Sequence, residues 1–168
     1  MGERNFPLRA AVLLLAVGLF GCDHATKIAA HASLSQGRTV PLIDGIVELR
    51  YAANDDTAFS LLRTLGVARG AASTGALVAL ASLAFAGVVV AWIATRKRAS
   101  IAHHAGFGLV VAGALGNLVD RIARGYVVDF IHVSRWPVFN VADVAVVAGV
   151  VLVGLASMGT RPPREAPS

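Results

Sequence analysis

Residues 126–147, YVVDFIHVSRWPVFNVADVAVV, set two carboxylates, Asp129 and Asp143, in a run of valines, isoleucines and phenylalanines. Two carboxyls at hydrogen-bond distance do not both ionise easily. Like charge and desolvation raise one pKa, and the pair holds a single proton near neutral pH. The ionised member can then take a proton from water while the protonated member donates one to a peptide carbonyl, which is peptide hydrolysis without a metal or a covalent intermediate. On one continuous helix the two residues would lie ~21 Å apart at about 1.5 Å per residue, too far to cooperate. Ser134, Trp136 and Pro137 interrupt the segment. A return through this loop can bring the carboxyls face to face, because packed helix axes lie only about 8–10 Å apart.

The same residues fit plainer roles. Asn140 and Asp143 have the i, i+3 spacing of a helix N-cap and its acidic third residue. Asp23 with Lys27, and Asp120 with Arg124, are i, i+4 pairs of the kind that neutralise one another on a helix. Spacing alone permits a carboxylate dyad and leaves capping and ion pairing open. His103 and His104 read as interfacial, and His24, His31 and His132 have no obvious partner in sequence. Trp92 and Trp136 fit interfacial aromatic belts.

The elements that must position these groups follow from composition. Of 168 residues, 56% are hydrophobic and 15% charged, which is a membrane protein's balance rather than that of a soluble domain. Four segments are apolar enough to span about 30 Å of hydrocarbon: Leu8 to Ala30, Ala71 to Thr95, Ile101 to Val119 and Phe139 to Met158. The expectation is an all-α membrane protein, one domain over 1–168, with four transmembrane helices. Asp129 then closes the third span and Asp143 opens the fourth. Between the first two spans, TVPLIDGIVELRY alternates apolar and polar residues around Asp44-Gly45, which predicts a small β-hairpin with a two-residue turn within an outer-face β region at about 38–60. The tail from 161 to 168 reads as a disordered end whose prolines stop any helix.

Four crossings put both termini on one side. Arg4, Arg9, Arg96, Lys97, Arg98, Arg161 and Arg164 face Glu3 and Glu165 there, and the remaining charges balance on the other side. By the retention of Lys and Arg in the cytoplasm, the termini are expected inside and the hairpin outside. The basic pI of about 10.3 is thereby a matter of topology. No basic helix or aromatic-and-basic interleaving points to nucleic acid. With one cysteine, Cys22, and no CxxC or HExxH, neither an internal disulfide nor metal chemistry is expected. Positive charge, an apolar run and Gly21-Cys22-Asp23 also resemble a secretory signal ending at a lipoprotein cleavage site. Three further spans favour Cys22 as a small apolar residue of a spanning helix.

Charged groups are costly at mid-bilayer, about 2.5–3.5 kcal/mol each on insertion scales, so their placement is informative. Asp23, Lys27, Asn54, Asn117, Asp120, Arg121, Asp129, Asn140 and Asp143 all fall toward the outer ends of the spans or in outer loops. At these residues the chain resembles the signal peptidase II family, the bacterial four-span aspartyl peptidases. The motifs are DHATK (23–27), NDDTAFS (54–60), GALGNLVDR (113–121), GYVVDF (125–130) and FNVAD (139–143), in order along most of the chain.

The resemblance implies that Asp129 and Asp143 are the catalytic aspartates. It implies that Asn117, Asp120, Arg121 and Asn140 orient them and help bind substrate, that Asn54 lines the site, and that Asp23 and Lys27 support it. It further implies cleavage of prolipoprotein signal peptides before a diacylglyceryl-modified cysteine, among the lipids of the bacterial inner membrane, by an enzyme without cofactor that globomycin inhibits; a monomer is the expectation for the chain. One departure stands out: Asp56-Thr57 replaces the family's usual Gly-Ala. Two other classes use the same residues: a small transporter relaying cations or protons through the carboxylates, and a catalytically silent paralogue.

Overall fold

The structure, a computed structural model, describes residues 6–55, 71–95 and 100–158. The Asp56-Thr57 departure, the basic cluster 96–98 and the tail 161–168 lie outside the described residues. In chain order the elements are helix α1 (Phe6–Leu34), strands β1 (Thr39–Ile43) and β2 (Val47–Asn54), helices α2 (Ala71–Thr95) and α3 (Ile101–Arg124), strand β3 (Val127–Val133) and helix α4 (Val141–Met158). Among the described residues, four helices are long and apolar enough to cross a membrane: Ala10–Leu34, Gly75–Thr95, Ile101–Arg124 and Val141–Met158. Leu80, Leu83 and Val90 on α2, with Val147, Val150 and Leu155 on α4, face outward, as side chains in contact with lipid must.

The helix ends carry readable signals. Gly37, at φ +84°, follows α1, and its N–H bonds the Leu34 carbonyl. Ser100 caps α3 by accepting the His103 N–H, and Gly125, left-handed at φ +80°, closes it through a bond to the Arg121 carbonyl. Glycine suits this position because no Cβ opposes positive φ. α1 passes through Cys22 without a break.

The expected hairpin is present but is two-thirds of a larger sheet. β1, β2 and β3 pair antiparallel in that order. Asp129, expected to close off the outer side of the third span, lies on β3, and α3 runs past the expected Val119 to Arg124 before the glycine stops it. The fourth helix starts at Val141, two residues after Phe139, which bridges to Ile131 of β3. The Asp44-Gly45 turn also differs: Ile43 pairs with Val47, so three residues close the hairpin, with Gly45 left-handed and the Ile46 N–H on the Ile43 carbonyl. β2 is the central strand, and its Ala52 lies opposite Asp129.

α3 is the most buried of the four spanning helices and packs closely on α4 through glycine. A Cβ on Gly149 would meet the Gly106 carbonyl at 2.6 Å, and one on Gly113 would collide with the Ala142 carbonyl. Such close approach is what small residues permit in membrane bundles. It also fixes the first turn of α4 against α3.

Candidate active site

Asp129 is buried near the middle of β3, and Asp143 is half-buried in the first turn of α4. Between them stands Asn140, fully buried, whose Nδ2 donates to Asp129 Oδ1 at 2.6 Å. Asn140 also caps α4: its Oδ1 accepts the Asp143 N–H at 2.9 Å, and Asp143 Oδ2 accepts the Asn140 N–H at 3.1 Å. This is the reciprocal capping box that the i, i+3 spacing suggested. Capping uses one oxygen of Asp143 and leaves the other, Oδ1, aimed at Asn117 Nδ2, 2.8 Å away. The capping and site readings of Asp143 are therefore compatible. The two carboxyls are joined through Asn140.

Asn54, the last residue of β2, donates from Nδ2 to Asp129 Oδ2 at 2.8 Å. Burial pushes the Asp129 carboxyl up to about 6 from an ordinary 3.8, and the Asp143 charge adds to the rise. Hydrogen bonds from Asn54 and Asn140 and the charge of Lys27 oppose it. A carboxyl so poised exchanges its proton near neutrality.

A second layer supports the first. Lys27, 0% exposed, bonds Asp23 Oδ2 at 2.8 Å, Asp120 Oδ2 at 3.1 Å and Asn117 Oδ1 at 2.9 Å. Asp120 pairs with Arg124 and accepts the Val128 N–H at 3.3 Å, tying the foot of β3 to α3. Asp23 Oδ1 accepts the Ala142 N–H at 2.9 Å, tying α1 to the start of α4. The two i, i+4 pairs thus neutralise one another and also fasten elements together. Arg121 contacts the Asn117 carbonyl at 3.4 Å, and its charge interacts with Asp143, Asp129 and Asp120.

All nine residues singled out in sequence meet in this one network. Sequence reasoning missed its backbone members, the N–H groups of Val128 and Ala142, which no residue type signals. It also missed partners of the histidines. His31 meets the Tyr51 hydroxyl, which donates to Tyr126; His132 pairs with Glu48 at 3.0 Å across β2 and β3; His103 reaches Ser157 and His104 reaches Trp92. Among the described residues, no cluster of three or more His, Cys, Asp and Glu could hold a metal.

The fold and the site together define a multi-pass membrane protein whose polar chemistry is gathered at the end of the bundle that meets the sheet. The family model described as signal peptidase (SPase) II matches residues 15–158. A lipoprotein signal peptidase of Pelotomaculum thermopropionicum is 38% identical over 151 residues, covering 90% of this chain and 89% of that one. One of Rhodococcus jostii is 39% identical over 166 residues, with 91% and 78% covered. A solved bacterial membrane enzyme, determined in meso at 1.9 Å resolution, shares the fold at a TM-score of 0.74, with 23% identity and 90% of this chain and 95% of that one covered. The chain belongs to the signal peptidase II family.

Proposed function

We propose that the chain is an aspartyl endopeptidase that removes signal peptides from diacylglyceryl-modified prolipoproteins, cutting before the lipidated cysteine. The observation that carries the reading is the pair Asp129 and Asp143, delivered by β3 and α4 and bridged by Asn140 in a chain of this family. One carboxylate takes a proton from water as its oxygen attacks the scissile carbonyl, and the other, protonated, donates to the carbonyl oxygen. In the resulting gem-diol the carboxyl that took the water proton gives it to the amide nitrogen while the other, now ionised, takes a hydroxyl proton, and the C–N bond breaks to leave an acid and an amine. Asn54, Asn117 and Asn140 hold the carboxyls, and Arg121 supplies positive charge beside them.

The 168 residues act as one domain and as a monomer, with both termini in the cytoplasm and the site at the outer face of the inner membrane. A substrate with an apolar helix and two acyl chains reaches it laterally from lipid, and water reaches it from outside. With purified protein and a lipidated precursor peptide, Asp129→Asn and Asp143→Asn should each lower kcat by about 10²–10⁴-fold or more while the protein stays folded. Parent-like turnover in either variant removes the mechanism. Globomycin should inhibit the parent, and Asp56→Gly with Thr57→Ala should change the inhibitory concentration. An unchanged response dissociates that departure from inhibitor binding.

A further inference from the structure

We infer that Lys27 is a positioning residue that sets the direction of the Asn117–Asn140 amide relay beside the two carboxyls, acting on Asp143 through Asn117. The proposal rests on the peptidase reading above. An ammonium has three N–H donors and no acceptor. Lys27 spends them on Asp23 Oδ2, Asp120 Oδ2 and Asn117 Oδ1. The Asn117 amide must therefore turn its oxygen toward α1, and its Nδ2 is left facing Asp143 Oδ1 at 2.8 Å. Rotating that amide by half a turn would set N–H against ammonium at one end and oxygen against carboxylate at the other.

The direction propagates. Asn117 Oδ1 also accepts from Asn140 Nδ2 at 3.1 Å, so the Asn140 amide nitrogen points to the Asn117 and Asp129 oxygens. Its own oxygen is then free to receive the Asp143 N–H. One buried cation on the first helix thereby favours the arrangement in which Asn117 donates to Asp143 and Asn140 donates to Asp129, while Asn54 donates to Asp129 independently. A charge-balancing role alone needs only the two aspartates and gives no use to the third ammonium donor, the one on Asn117.

The test separates these roles. Lys27→Met leaves Asp23 and Asp120 with one cation fewer, so the charge-balanced Asp23→Asn/Lys27→Met variant is made alongside it; the amide introduced on α1 still offers an oxygen to the Ala142 N–H. Both are assayed on a lipidated precursor peptide and compared with Asn117→Ala and the combined Lys27→Met/Asn117→Ala protein. We expect kcat to fall on the order of 10- to 100-fold in each Lys27 variant, the loss typical when a partner that orients a reacting group is removed, with KM unchanged. In the Asn117→Ala background, Lys27→Met should lower kcat by less than about twofold further, because coupled residues do not add. Additive losses, a loss carried by KM, or full activity in the charge-balanced variant would overturn the proposal, as would failure of both Lys27 variants to fold. No turnover by the parent itself would instead overturn the peptidase reading and this proposal with it.

Discussion

The α3–α4 interface is made of two materials along its length. Toward the end away from the sheet, Gly106 and Gly149 bring backbone against backbone, with Val110 and Val153 filling the sides. At the sheet end the same two helices are joined by Asn117, Asn140 and Asp143, with Lys27 and Asp23 inserted from α1. The apolar end is held by shape and tolerates no added volume. The polar end is held by complementary donors and acceptors, and there a missing partner costs more than a missing methyl. A bundle of lipid-facing helices can therefore carry buried charge, provided the charges are confined to one end and each is paired.

The largest expected effect comes from unbalancing the polar end. Asp120→Ala removes an acceptor from Lys27, Arg124 and the Val128 N–H together, and should cost about 3–5 kcal/mol of stability, the range for breaking a buried pair, read by denaturant titration in micelles. A loss below about 1 kcal/mol would show that the network is not tightly coupled.

The pH dependence should come next and should belong to the polar end alone. Asp129 holds its proton more tightly in the folded chain, at about 6 against 3.8, so its contribution is fully present below pH 3.8 and is lost as pH rises through 6. The parent should lose up to about 3 kcal/mol across that window relative to Asp129→Asn, which has no such titration. Melting curves of the two proteins at several pH values check the sign, and parallel profiles would contradict it.

At the apolar end, Gly149→Ala should destabilise by about 1–3 kcal/mol through overpacking, whereas Gly87→Ala on α2, where a Cβ meets nothing within 4 Å, should be neutral or stabilise by up to about 1 kcal/mol. Equal effects at the two glycines would erase the contrast between a packed and a lipid-facing helix face.

Much of this arrangement was legible in the sequence for a physical reason. Lipid demands long apolar helices, so the four spans stand out, and the cost of burying charge there made nine polar residues at one end conspicuous. β3 was not legible. VVDFIHV is buried at its start on both faces, so it lacks the alternation that marks a strand and reads as the continuation of a helix. Gly125 after Arg121 and Arg124 was the available stop signal. The partners of each amide were beyond reach as well, since Asn117 and Asn140 each have donors and acceptors that only tertiary placement can assign. Asn140, which bonds both Asp129 and Asp143, is the clearest case.

The bond from the Ala142 N–H to Asp23 spans 119 positions, and it bears on how the molecule is made. The first helix leaves the ribosome before the last, carrying Asp23 and Lys27 one turn apart as an ion pair. Its other partners, Asn117, Asp120 and then Ala142, are synthesised later and in that order. The constellation is complete only when the final helix docks, so the network around Asp129 and Asp143 assembles after α4 is made.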